Sequence, residues 1–360
     1  MAGWPAEPVR RRARRAGLLA ALGVLVVVAG CTTNDSATPA PRLSTTVPAA
    51  LVRTAPSPGC AAPSTTVPVT TVVAGRTEVL TARPEGGRWA YLSVPPQADG
   101  QRPLPLVMDL HGYSEGADVH LQFTKMEDLG RAKGFLTLVP QGSGDVPFWN
   151  SFGRPAPDDV GYLTSLVDQV ASTECVDLNR VYVDGMSNGA FMTSLLACER
   201  PGVFAAAVTV AGLQFPEGCA GGPPVPVMAV HGTDDDYVRY EGGFGDGVRS
   251  LGVDPAMADT AGRNMSVPDA AAAWARRNRC TAGAAPSSNK VGSDVQLMQW
   301  PGCAASVQLY VVAGGGHSWP GSEFAANLGD VVGRTSMSVD ATDLAWRFFE
   351  AHPRRTPAAD

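Results

Sequence analysis

From about residue 88 onward, short runs of apolar residues alternate with longer stretches whose apolar positions recur at helical spacing. The short runs at 89–94, 104–110, 135–139, 180–184, 205–210, 225–230 and 307–312 predict strands. The longer stretches at 118–133, 158–174, 188–199, 267–279 and 339–352 predict helices. Such strand–helix alternation implies an α/β fold, a mostly parallel sheet with helices on both faces. Sheets of this kind carry their sites at the C-terminal ends of the strands, in the loops that follow. The segment 237–266 is rich in Gly and Asp and has no period, which predicts a long loop near the site. No internal repeat interrupts the pattern.

The first 67 residues read differently. Arg10, Arg11, Arg12, Arg14 and Arg15 precede an apolar run at 16–29. That run is short for a hydrocarbon core of roughly 30 Å. It ends at Val28-Ala29-Gly30-Cys31, which resembles a bacterial lipobox, so residues 1–30 are expected to be a lipoprotein signal peptide and Cys31 the lipidated first residue. The clustered arginines also suggest twin-arginine export, although the rest of that motif is absent. Residues 31–67 are Thr, Pro, Ala and Ser with few large apolar side chains, too little to offset ordering entropy, which predicts a disordered tether. Residues 68–353 are then expected to form the folded domain and 354–360 a tail. The expected location is the outer face of the cell membrane, through a lipid anchor at Cys31, or secretion.

A chain of 360 residues holds one large α/β domain or two small ones, and its net charge of -6 argues against a nucleic-acid partner. Beyond Cys31 the cysteines are Cys60, Cys175, Cys198, Cys219, Cys280 and Cys303, an even number that suggests disulfides in an exported protein. No CxxC pair occurs, so no zinc or other metal site is expected. Cys280 and Cys303 flank one helix-to-strand excursion and are the favoured pair. Cys198 and Cys219 bracket the next strand, and Cys60 with Cys175 remain by elimination.

The chemistry centres on Gly185-Met186-Ser187-Asn188-Gly189, a G-x-S-x-G motif between a predicted strand and a predicted helix. Small residues two positions either side of Ser187 let a tight turn close, and the turn lifts the hydroxyl above the sheet. A serine hydroxyl needs a base. In the α/β-hydrolase chain order the base follows both nucleophile and acid, which of the five histidines leaves His317 and His352, and His317 sits in a glycine-rich loop after a strand. His111 and His231 read as structural, at strand ends. The acid should come from Asp234, Asp235 or Asp236 after the strand at 225–230, and pattern alone does not choose among them. Oxyanion donors should be the N–H of Asn188 and, in His111-Gly112-Tyr113-Ser114, that of Tyr113.

His111-Gly112, the Ser187 motif, His231-Gly232-Thr233-Asp234-Asp235 and Gly315-Gly316-His317-Ser318-Trp319-Pro320-Gly321 together resemble the polyhydroxybutyrate depolymerase/feruloyl esterase-like family, related to carbohydrate esterase family 1. The resemblance runs from about residue 88 to 353. It implies an α/β-hydrolase fold with Ser187 as nucleophile, His317 as base and Asp235 as acid. One departure is Asp236, where the family often has Pro; its extra charge leaves Asp235 less secure on sequence grounds. The expected activity is hydrolysis of soluble short-acyl, hydroxycinnamoyl or hydroxyalkanoate esters, including oligosaccharide esters, through an acyl-enzyme, with no cofactor. Trp149 and Trp319 are candidates for a sugar- or aryl-binding platform. Two alternatives stay open: a catalytically idle lipoprotein of this fold that binds wall glycans or a partner, and a serine peptidase.

Overall fold

A computed structural model of the chain describes residues 54–60, 77–81, 88–152, 156–253 and 264–354. The expected signal peptide and Cys31 lie outside the described residues. Among the described residues, ten strands form one sheet: β1 (Thr77–Thr81), β2 (Trp89–Ser93), β3 (Leu104–Leu110), β4 (Leu136–Pro140), β5 (Val176–Met186), β6 (Ala206–Val210), β7 (Val227–Gly232), β8 (Ser287–Lys290), β9 (Val295–Gln299) and β10 (Val307–Val312). Their order is β1-β2-β4-β3-β5-β6-β7-β10-β9-β8. The central run from β4 to β10 is parallel, and antiparallel pairs close both margins.

Both faces are covered. All seven residues of β3 are buried. Successive side chains point to opposite faces, so Leu106, Met108 and Leu110 enter one core and Val107 the other. The first core is roofed by α3 (Asp159–Thr173), α4 (Asn188–Glu199) and α6 (Val267–Arg277), through Leu163, Val167, Leu196 and Trp274. Across the sheet lie α1 (Gly116–Thr124), α2 (Met126–Lys133) and α9 (Ala341–Ala351), with Phe135 stacked on Trp346 and Tyr182 on Phe349. Three short helices, α5 (Asp246–Ser250), α7 (Glu323–Asn327) and α8 (Gly329–Val332), sit in loops.

Several expectations are corrected. The helix expected at 118–133 is two, because Lys125 adopts a left-handed conformation between α1 and α2. The marginal strands β1, β8 and β9 were not anticipated; β8 reads Ser-Ser-Asn-Lys and is wholly exposed, so it has no apolar signature. The segment expected to be a tether is partly docked. Ala55 N–H donates to Asp177 Oδ1, Ser57 N–H to the Val176 carbonyl, and Cys60 is bonded to Cys175. Hydrogen bonds and a covalent bridge supply here the ordering that apolar burial does not. The other bridges are Cys198–Cys219 and Cys280–Cys303, so all three pairs are those expected.

Candidate active site

β5 ends at Met186 and α4 begins at Asn188, which leaves Ser187 alone at the bend. Its backbone angles are φ 56° and ψ −119°, a sparsely populated conformation that costs an L-residue about 1–3 kcal/mol. The surroundings enforce it. Ser187 N–H donates to the Val210 carbonyl, and the Ser187 carbonyl accepts from Phe191 N–H. A Cβ on Gly185 would lie 2.7 Å from the Gly189 backbone, and one on Gly189 would lie 2.1 Å from the Leu110 carbonyl oxygen. The two motif glycines are therefore dictated by close backbone approach. Ser187 is partly exposed, while Gly185, Met186, Asn188 and Gly189 are buried.

Of the three adjacent acids after β7, Asp234 and Asp236 are exposed and Asp235 is buried. His317 Nδ1–H donates to Asp235 Oδ2 at 2.9 Å. Asp235 Oδ1 accepts the N–H groups of Tyr237 and Val238, both at 2.9 Å, which fixes the carboxylate plane. His231 Nε2 donates to the Val238 carbonyl at 2.8 Å and lies 3.3 Å from Asp235 Oδ2. Burial disfavours the Asp235 charge, but the His317 ring and the hydrogen bonds of His231 and His317 outweigh it and hold the carboxyl below its ordinary value. The Tyr237 ring stacks on His317 with centroids 4.7 Å apart.

The third element is the loop after β3. His111 Nδ1–H donates to the Gly112 carbonyl at 2.7 Å, and His111 Nε2 accepts from Gly142 N–H at 2.8 Å. Both bonds define one neutral tautomer. Burial pushes this imidazole down to about 4, with the Gly112 carbonyl and the Glu115 charge opposing in part. The structure thus gives His111 and His231 the structural contacts expected of them. Tyr113 and Asn188 line one cavity with Ser187 and His317. Among the described residues, no acceptor engages the backbone N–H of Tyr113 or Asn188.

The model of the esterase PHB depolymerase family matches residues 89–274. The chain belongs to that family. It is a carboxylic ester hydrolase with an α/β-hydrolase fold. A protein of Nocardia uniformis subsp. tsuyamanensis named as an esterase, NocK, is 31% identical over 355 residues, covering 93% of this chain and 97% of that one. A protein of Aspergillus clavatus named as a feruloyl esterase C is 27% identical over 276 residues, 74% of this chain and 84% of its own length. The solved acetyl xylan esterase from Aspergillus awamori superposes with a TM-score of 0.54 at 15% identity, over 77% of this chain and 100% of that one, a likeness of fold alone.

In this family member the cavity has a volume of about 190 Å³. Phe152, Phe191, Phe244 and Val248 are among its apolar wall residues. Phe244 and Val248 come from the aperiodic segment after β7, which is indeed beside the site. The sequence reading missed these wall residues, and only Phe191, inside a predicted helix next to the motif, carried a usable signal. Trp149 and Trp319 are corrected: each is 1% exposed and neither lines the cavity. Trp149 Nε1–H donates to the His111 carbonyl at 2.9 Å, and Trp319 Nε1–H to Thr342 Oγ1 at 2.9 Å. A buried indole satisfies its N–H in this way, which makes both rings supports for loops and not ligand platforms.

Proposed function

We propose that the protein is a serine esterase that works through an acyl-enzyme. Ser187 attacks the ester carbonyl while His317 Nε2 takes its proton. Asp235 holds the imidazole in the tautomer that leaves Nε2 able to accept, and it stabilises the imidazolium. The N–H groups of Tyr113 and Asn188, the latter at the N-terminus of α4, receive the developing oxyanion. His317 then returns the proton to the leaving alkoxide, and water attacks the acyl-enzyme by the same route in reverse. The observation that carries this reading is the 2.9 Å bond from His317 to Asp235 on a cavity shared with a serine at positive φ.

The proposed substrates are soluble short-acyl, hydroxycinnamoyl or hydroxyalkanoate esters met at the cell surface. A cavity of about 190 Å³ is smaller than the roughly 300–1,000 Å³ typical of drug-sized ligands. Its apolar wall favours a small alkyl or single aryl group. The test is fluorophosphonate labelling mapped to Ser187, beside kcat/KM for p-nitrophenyl esters of graded length and methyl ferulate. The rate constant is expected to fall past roughly eight carbons, since each further CH₂ forgoes burial worth about 0.8 kcal/mol. Absence of labelling at Ser187, or an optimum at long chains, refutes the reading.

A further inference from the structure

Asp109 is the one charged residue of β3, and it is fully buried. A buried carboxylate needs partners. Its Oδ2 accepts from Thr124 Oγ1 at 2.6 Å, and its Oδ1 lies 2.6 Å from Nε2 of His120, a ring that is also fully buried. The other ring nitrogen, Nδ1, lies 2.9 Å from Glu115 Oε1. Glu115 Oε2 in turn accepts the Gly112 N–H at 2.6 Å. A continuous chain, Asp109–His120–Glu115, therefore ends on the backbone of the loop beside Ser187.

With a carboxylate at each nitrogen, His120 is doubly protonated. Burial opposes that charge, but Asp109 and Glu115 outweigh it and raise the imidazole well above its ordinary value. Burial would likewise raise Glu115, but the His120 charge outweighs it and holds the carboxyl below its ordinary value. Asp184, opposite Asp109 in the β3–β5 register, is raised well above its ordinary value by burial and by the Asp109 charge. Glu115 borders the cavity, yet both its oxygens are engaged and it stays ionised, so it is unsuited to be a general acid.

Two peptide units meet at Gly112, and they are held separately: Glu115 takes the N–H of the His111–Gly112 unit and His111 the carbonyl of the Gly112–Tyr113 unit, so the carboxylate bears on the Tyr113 N–H by fixing the backbone on the near side of Gly112. Because the peptide is planar and trans, fixing the Gly112 carbonyl fixes the Tyr113 N–H on the opposite side. Ser114 follows at φ 62°, its N–H donating to the Pro147 carbonyl at 2.8 Å. A Cβ on Gly112 would lie 2.9 Å from Glu115 Oε2 and 3.4 Å from Ser187 Cβ, so the loop is wedged between the two. We propose that Glu115, braced from behind by His120 and Asp109, is a positioning residue that aims the Tyr113 N–H at the oxyanion formed on Ser187. This rests on the reading of Tyr113 as an oxyanion donor.

The test compares full-length wild type with Glu115→Asp, Glu115→Gln and Glu115→Ala. Ser187 is counted by exhaustive fluorophosphonate labelling, kcat and KM are measured on p-nitrophenyl acetate per labelled site, and Ki is measured for phenylboronic acid, whose adduct oxygen mimics the oxyanion. Asp keeps the charge beside His120 but is one methylene too short to span both partners. Gln keeps the span and an acceptor for Gly112; its NH₂ group then faces His120 Nδ1, which gives up its proton and accepts, while Nε2–H still donates to Asp109. Removing an oxyanion donor outright costs about 10²–10³ in kcat. Mis-aiming one should cost roughly ten- to a hundredfold in Glu115→Asp and Glu115→Ala, with KM within about twofold and Ki rising in parallel. Glu115→Gln should keep most of the activity. If Glu115→Asp keeps wild-type kcat per labelled site, or loses only KM or the labelled fraction, the carboxylate merely packs the core and the proposal falls. A wild type that never labels at Ser187 removes the catalytic reading itself.

Discussion

Replacing Asp235 by asparagine separates the role of the charge from that of the shape. The Oδ1 position is pinned by two backbone N–H donors, from Tyr237 and Val238. The amide must keep its carbonyl oxygen there, so its NH₂ group faces His317 Nδ1, where Oδ2 accepted a proton at 2.9 Å. Two donors cannot face each other. The imidazole must move its proton to Nε2, and Nε2 can then no longer accept the Ser187 proton. The expected loss is about 10⁴ in kcat with KM little changed, roughly 5 kcal/mol of transition-state stabilisation. Asp234→Asn and Asp236→Asn alter exposed side chains and should stay within a few-fold of wild type. The assay is steady-state hydrolysis of p-nitrophenyl butyrate, with circular dichroism to check the fold. An Asp235→Asn enzyme within tenfold of wild type, or a neighbour more damaging than Asp235, refutes the reasoning.

Two further predictions concern the buried imidazoles and Cys31. His111 should remain neutral down to about pH 4, and His120 should remain charged through neutral pH, read as imidazole ¹⁵N shifts. Since the unfolded chain protonates its copy of His111 near pH 6.5 and the fold does not, stability should fall as pH drops from about 6.5 to 4. That loss is about 1.4 kcal/mol per unit, or roughly 3 kcal/mol from this group alone. An ordinary titration of His111 contradicts this. Separately, we propose that Cys31 is lipidated, so wild type should partition into detergent and Cys31→Ala should not; both proteins remaining in the aqueous phase refutes lipidation at Cys31.

The strand–helix rhythm was legible because β3, β6 and β7 are buried at every position and mostly apolar, and burial on two sides writes itself into composition. The serine turn was legible for a different reason: Gly185 and Gly189 are set by atomic contact, so the motif encodes a geometry. The choice of Asp235 was not legible in the run Asp234-Asp235-Asp236, because three identical side chains differ only in where the turn directs them. Trp149 and Trp319 were misread because an indole supplies the same apolar face to a core as to a ligand. The docked segment 54–60 was misread because composition reports apolar burial alone, although the expected Cys60–Cys175 bridge already required residue 60 to lie against the domain. The Asp109 chain did leave a mark, a single acid inside Leu-Pro-Leu-Val-Met-Asp-Leu, and a buried acid requires a partner wherever it occurs.

A general base needs one ring nitrogen held and the other able to accept a proton. His111 has both nitrogens committed, to the Gly112 carbonyl and the Gly142 N–H. His120 has both committed to carboxylates and carries a proton on each. His231 turns Nε2 to the Val238 carbonyl and Asp235, its Nδ1 is buried with no hydrogen-bond partner among the described residues, and the ring does not line the cavity. His352 binds the Phe348 carbonyl at the end of α9, outside the cavity. His317 alone has Nδ1 held by a carboxylate on a ring that lines the cavity, and among the described residues nothing engages its Nε2. Two carboxylate–imidazole systems thus flank one serine with opposite designs. The one with an open nitrogen can move protons during turnover. The closed one cannot, and so can hold a fixed charge and a fixed loop throughout the reaction.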